Sequence, residues 1–307
     1  MSRGRLGRVV VAGEALIDLV PRADGALAPA LGGGPFNTAR TLGRLGHPAA
    51  FIGAVSSDQF GDRLAAALAA DGVLLDRALR TDLPTSLAMA ELDGAGSANY
   101  HFYFAGTSAE ALQPKTAIAV LPNDVAALHV GSLGLVLEPL ASAVEALVDR
   151  LAGKALVMLD PNIRPSIIRD AAGHAARMGR VVARADVVKV SDGDLQVLAP
   201  GQSPTQAARA LLARGPKLVL LTLGAQGAIA LGAFGSRMVA APETTVADTI
   251  GAGDIFSGAW LARWLELGRP LADGEAVEDA TDFACRAAAF SCAREGASPP
   301  TRGDLAG

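Results

Sequence analysis

The stretch Arg8-Val9-Val10-Val11-Ala12-Gly13-Glu14-Ala15-Leu16-Ile17-Asp18-Leu19-Val20 opens on an unbroken apolar run suited to a strand buried on both faces. Comparable runs recur at 50–55, 127–130, 155–159, 187–190 and 217–222. Between most of them lie Ala- and Leu-rich amphipathic segments that predict helices. Segment 36–45 is stopped by Gly46, 60–70 by Gly72 and 139–151 by Gly153, and Ser203-Pro204 opens a further helix as cap and first residue. Strands alternating with helices predict an α/β fold, a mostly parallel sheet covered by helices on both faces. Two runs break the rhythm: 87–92 and 98–104 flank the turn Asp93-Gly94-Ala95-Gly96 and predict a hairpin. That hairpin is either an ordinary edge or a small protruding sheet that closes over a ligand.

The chain has 307 residues and a formal charge of −4, without the basic stripe of a nucleic-acid binder. Glu14 and Asp18 interrupt the first apolar run before it reaches the length of a signal or a membrane span. Nucleic acid and membrane are therefore not expected as partners, and the expected location is cytoplasmic. The two cysteines, Cys285 and Cys292, lie seven residues apart in a helical segment, a separation of roughly 10 Å that excludes a disulfide. His47, His101, His129 and His174 show no zinc-ligand spacing, and neither a Walker loop nor a Gly-x-Ser-x-Gly elbow occurs.

Chemistry concentrates in Asp248-Thr249-Ile250-Gly251-Ala252-Gly253-Asp254, followed by a helical stripe of Phe256, Trp260, Trp264 and Leu267. Glycines at a helix start let unpaired N–H groups approach a phosphate, where the helix dipole favours negative charge. Asp254 in that turn is suited to accept a proton from an attacking hydroxyl, or it merely caps the helix. A second turn, Gly32-Gly33-Gly34-Pro35-Phe36-Asn37, suits sugar hydroxyls, as does Asp18, expected at the end of the first strand. Asp160-Pro161-Asn162-Ile163-Arg164-Pro165 follows a strand and carries Arg164 as its fixed cation, for a phosphate, a substrate oxygen or a surface ion pair. Segments 189–194 and 222–227 also follow strands, the second short enough to lie over a nucleotide.

In this order, these residues resemble the ribokinase-like (PfkB) family of sugar kinases over nearly the whole chain. The resemblance rests on Gly32-Gly33-Gly34-Pro35-Phe36-Asn37-Thr38-Ala39 with Leu45-Gly46 behind it, and on 248–254. It implies one ribokinase-like domain over 1–307 with lid elements around 15–30 and 85–107, ATP with Mg²⁺, and often K⁺ near Asp248, Ile250 and Ser298. It further implies Asp254 as general base and Gly251, Ala252 and Gly253 as anion hole. The sugar would be held by Asp18, Gly33, Gly34 and Asn37, with Phe102, Phe104 and Arg164 beside it. ATP would be lined by Lys189, Ser191, Thr222, Gly224 and Gly227. Lids of this kind also form dimer contacts in many members.

Within the family the chain looks most like bacterial fructokinases, through 13–18, 160–165 and the lid text 100–109. The expected reaction is transfer of the γ-phosphate to the 6-hydroxyl of D-fructose. A 2-keto-3-deoxygluconate kinase is the alternative, but its usual lid Tyr-Arg is replaced here by Phe104-Ala105. Ribose or nucleoside acceptors remain open, and a non-catalytic sensor on the same fold is a reading of another class. The chain departs from the family's frequent Asn and Glu at 189–194, which bears on the nucleotide residues.

Overall fold

The computed structural model describes residues 7–22, 24–92 and 98–306. The chain begins with β1 (Arg8–Ala12), β2 (Leu16–Pro21) and β3 (Leu27–Gly32), then α1 (Gly34–Arg44), β4 (Ala49–Ile52), β5 (Ala54–Ser56) and α2 (Gln59–Ala70). There follow β6 (Leu79–Thr81), β7 (Leu87–Leu92), β8 (Ala98–Tyr103), α3 (Pro114–Val120), β9 (Val125–Gly131), α4 (Leu140–Leu151) and β10 (Leu156–Asp160). The remainder comprises α5 (Ala171–Val182), β11 (Val187–Ser191), α6 (Asp192–Leu198), α7 (Pro204–Leu212), β12 (Leu218–Thr222), β13 (Ala228–Gly232), β14 (Gly235–Val239), α8 (Ala252–Glu266) and α9 (Gly274–Cys292).

Eight strands form the main sheet in the order β14-β13-β12-β11-β10-β9-β1-β4, with β4 to β12 parallel and the last two antiparallel. The apolar runs are continuous because both faces are covered. Val9 and Val11 point into a core built with α1, α8 and α9, whereas Val10 and Ala12 join α4, α5 and α7 on the other side. The strand order reverses beside β1, so the ends of β1 and β9 flank the crevice in which open α/β sheets place ligands.

A second sheet, β3-β2-β7-β8, stands apart and contains the predicted hairpin, with β7 and β8 antiparallel. The turn expected at 93–96 lies outside the described residues. Asp18 belongs to this sheet, in β2 paired with Ala30 of β3 and Ala88 of β7, and not to the end of the first strand as expected. The chain bends at Gly13, where a Cβ would lie 2.4 Å from the Pro35 ring, and leaves the main sheet before Asp18. The run 50–55, expected as one strand, is two. It breaks at Gly53, and β5 pairs with β6 in a separate ribbon. Helix α8 is buried nearly all round: Phe256 and Trp260 share the expected stripe, but Ile255, Leu261 and Ala262 are equally enclosed. It is a core helix rather than an amphipathic surface one.

Candidate active site

Helix α8 presents its N-terminus at the sheet crevice because Gly251 caps it in the left-handed conformation, φ 75°, which β-carbon sterics make costly for other residues. Ala252 N–H is taken up by Thr249 O at 3.3 Å. Among the described residues the N–H groups of Gly251, Gly253 and Asp254 have no acceptor and are free to meet an anion, whereas that of Ala252, expected to share the role, already has a partner. Helix α1 meets α8 through side chains: Asn37 Nδ2 donates to Asp254 Oδ2 at 3.0 Å, and Thr38 Oγ1 donates to Asp254 O at 3.1 Å. Gly33 makes the turn before α1 possible, with φ 109° and the Glu14 carbonyl 2.7 Å from where a Cβ would sit.

Asp254 is 9 % exposed. Burial raises its pKa, while the Asn37 hydrogen bond and the Lys189 and Arg164 charges pull it back down. Asp18 is pushed to about 6, by burial and by the Asp254 charge, with Arg164 opposing. Both carboxyls line one cavity of ≈ 880 Å³. Gly33, Gly34, Asn37, Phe102 and Arg164 share its walls with the 250–254 turn. Towards its other end come Ser191, Thr222, Gly224 and Gly227, and then Cys285 and Cys292 from α9, both free thiols as expected.

Several expected residues stand elsewhere. Phe104 does not reach this cavity; its ring stacks behind Phe102 at 5.3 Å, sealed among Leu16, Ala88 and Leu133. Asp248 and Ser298 lie behind the turn rather than in the cavity wall. The Asp248 carboxylate accepts from Ile250 N and Gly296 N, each at 2.9 Å, and so fastens the anion turn to 295–298. Lys189 lines the cavity, but its Nζ is committed to Asp160 Oδ2 at 3.0 Å and lies 2.6 Å from where a Cβ on Gly253 would be. It therefore sits against the anion turn as a second cation beside Arg164. Burial works against its charge, yet Asp160 and Asp194 outweigh this and hold the ammonium ionised. Among the described residues Arg164 makes no ion pair, and its exposed guanidinium reaches the cavity from the loop after β10.

Two acids of the cavity wall were not singled out in the sequence. Glu14 is 2 % exposed in the cavity wall, and its carboxyl accepts from Gly34 N at 3.3 Å and Gly134 N at 3.0 Å. Its signal was a lone acid immediately beyond a buried strand. Asp194, in place of the family's frequent Glu, spends its carboxylate on Ile163 N and on the Ser191 capping box. No group of three or more His, Cys, Asp or Glu among the described residues is arranged to hold a metal ion, and no described helix is long and apolar enough to cross a membrane.

Residues 7–302 match the family described as pfkB family carbohydrate kinase. A fructokinase of Rhizobium leguminosarum bv. trifolii is 39% identical over 260 residues, 83% of this chain and 78% of that protein. The crystal structure of a Xylella fastidiosa fructokinase with bound ATP superposes with a TM-score of 0.88 at 27% identity, covering 97% of this chain and 96% of the other. A Vibrio cholerae O395 fructokinase bound to fructose, ADP and calcium ion superposes with a TM-score of 0.87 at 28% identity, covering 98% of both chains. A double mutant of that enzyme carries fructose, ADP and potassium ion, with a TM-score of 0.86, 28% identity and coverage of 98% and 97%.

Proposed function

This chain belongs to the pfkB family of carbohydrate kinases, and we propose that it transfers the γ-phosphate of ATP to the 6-hydroxyl of D-fructose. The observation that carries the reaction is the placement of one buried carboxylate, Asp254, in the same turn as the unpaired N–H groups of Gly251, Gly253 and Asp254. A base and an anion hole in one turn suit in-line phosphoryl transfer, which asks the protein mainly for positioning and charge stabilisation.

In this reading the sugar lies between the main sheet and the β3-β2-β7-β8 sheet. Asp18 and the Gly33–Gly34 backbone hold its hydroxyls, Asn37 holds Asp254 in place, and Asp254 takes the proton of the attacking hydroxyl. Phe102 covers this end of the cavity and keeps water from competing as acceptor. The triphosphate runs towards Ser191, Thr222, Gly224 and Gly227, with Lys189 adding positive charge beneath Gly253. Mg²⁺ would neutralise phosphate charge, and the Asp194 carboxylate, with both oxygens engaged by Ile163 N and Ser191 N, fits an ion that arrives on ATP and keeps its waters. A K⁺ site fits the region of Asp248, Ile250 and Ser298, where the donors would be mainly backbone carbonyls. Its effect would reach the anion hole through the Asp248 hydrogen bond to Ile250 N.

Fructose is favoured over an acidic sugar because Phe104-Ala105 stands where 2-keto-3-deoxygluconate kinases commonly carry Tyr-Arg, although Arg164, unpaired among the described residues, still offers one cation in the cavity wall. A cytoplasmic location agrees with the use of ATP. A homodimer through the lid is part of the reading: β8 is an outer strand of its sheet, and Tyr103 upon it is 53% exposed. Light scattering on the purified protein tests that assembly.

The deciding experiment is ADP release from MgATP with D-fructose, 2-keto-3-deoxygluconate, ribose, adenosine and no acceptor, each with and without K⁺. Turnover with fructose well above the others is expected. Activity confined to the keto-acid would overturn the acceptor, and silence with every acceptor would favour the sensor reading.

A further inference from the structure

Gly34 is flanked by two carboxyl groups. Its N–H points to Glu14 Oε1 at 3.3 Å, and a Cβ upon it would lie 3.1 Å from Asp254 Oδ1. Glu14 leaves the end of β1 and reaches, with its other oxygen, Gly134 N beyond the end of β9. One side chain thus spans the point where the strand order reverses. The neighbouring Ser132 hydroxyl also hydrogen-bonds to it, and Ser132 is held in the left-handed region at φ 53°. A non-glycine residue persists there only where its surroundings enforce it.

Charge decides how such a pair can work. No cation acts appreciably on Glu14; the charge that does is that of Asp254. The other charged groups around the cavity are Asp18 from β2, Arg164 from the loop after β10, Lys189 from β11, Asp192 and Asp194 from α6, and Glu243 from the loop after β14. Two buried carboxylates against one glycine repel each other, and the incoming triphosphate adds more negative charge, so only one of the two can be ionised during turnover. A general base has to be the ionised one.

Resting on the kinase reading above, we propose that Glu14 is a positioning residue that works as the neutral member of this pair: it carries a proton in the working enzyme, fastens the Gly33–Gly34 turn to the Ser132–Gly134 turn, and leaves Asp254 as the sole ionised acid there. Burial, the largest influence, together with the Asp254 charge drives the Glu14 pKa up to about 8, against the pull of its Ser132 and backbone hydrogen bonds. Above that pH the strut becomes an anion beside the phosphoryl site and turnover falls. Divergent environments assign the two roles, base and neutral support, to two similar groups.

The primary test is a pH titration of the whole protein followed by carbon-13 NMR of the glutamate carboxyls, which needs no substrate. One glutamate resonance titrating near 8, and absent from Glu14→Gln, is the expected result. If every glutamate titrates in the ordinary carboxylate range, the proposal is wrong, whichever sugar the enzyme accepts. Kinetically, Glu14→Gln keeps a neutral side chain in the strut, so the alkaline fall of kcat seen in the wild type should disappear from its pH profile, whatever its turnover at neutral pH. A folded Glu14→Gln protein that keeps the alkaline fall also overturns it. Failure of the wild type to turn over fructose would count against the acceptor alone, since the NMR titration reads Glu14 directly.

Discussion

Asn37 and Asp254 are 217 residues apart in the chain, and 3.0 Å separates the amide nitrogen of one from the carboxylate oxygen of the other. The bond fixes one oxygen of Asp254 and leaves Oδ1 on the Gly34 side, towards the sugar turn. Asp254→Asn retains the shape and removes the proton acceptor. We expect kcat to fall about a thousandfold or more, with KM for fructose within a few-fold, measured by coupled ADP release. Near-normal turnover would remove Asp254 from the role of base.

Replacing Asn37 by Asp tests the same bond through charge. Asp254 already has a raised pKa and must be ionised to act, so activity is lost as pH falls through that pKa. A second carboxylate at 37 opposes its ionisation further, and the acid limb of kcat should move to higher pH by about one unit or more. An unmoved limb in a folded variant would mean that Asp254 does not govern it.

How much of this was legible beforehand follows from how local each signal is. Val9 to Ala12 announce a strand covered on both faces, and Gly251 to Asp254 announce a helix start with a carboxylate in its first turn; both are short-range patterns. The break of 50–55 at Gly53 was not legible, because it depends on Gly13, whose carbonyl would lie 2.4 Å from a Cβ at 53. Phe104 follows Phe102 at the spacing of one strand face, but the chain has left β8 by then and the ring turns into the Leu16–Leu133 cluster. Glu14 looked like an interruption of an apolar run. Its role depends on N–H groups 20 and 120 residues away, which only the folded chain brings together.

Asp18, with its pKa near 6, gives a pH dependence to sugar binding that is distinct from the chemical step. As pH falls below 6 the carboxyl gains a proton and loses acceptor capacity, so KM for fructose should rise while the effect on kcat follows Asp254. Asp18→Asn should raise KM about tenfold or more at neutral pH and flatten its acid dependence. If KM is unchanged, the sugar does not lean on this side chain.

The Lys189–Asp160 pair is almost completely enclosed, with side chains 6% and 4% exposed. Lys189→Met leaves a buried carboxylate with only Ser257 Oγ, at 3.2 Å, as a hydrogen-bond donor. A loss of about 3–5 kcal/mol of stability is expected by denaturant unfolding. Adding Asp160→Asn should restore much of that stability without restoring kcat, because the charge beneath Gly253 remains absent. Recovery of kcat together with stability would limit Lys189 to a supporting role.

The bond between α1 and α8 also bears on the birth of the protein. Synthesis runs from the N-terminus, so Asn37 and the glycine turn leave the ribosome long before Asp254, and α9, which packs on α8, comes later still. Contacts so distant along the chain form late and slowly. A nascent or prematurely ended chain therefore has one wall of the cleft and no base, and cannot discharge ATP while still incomplete.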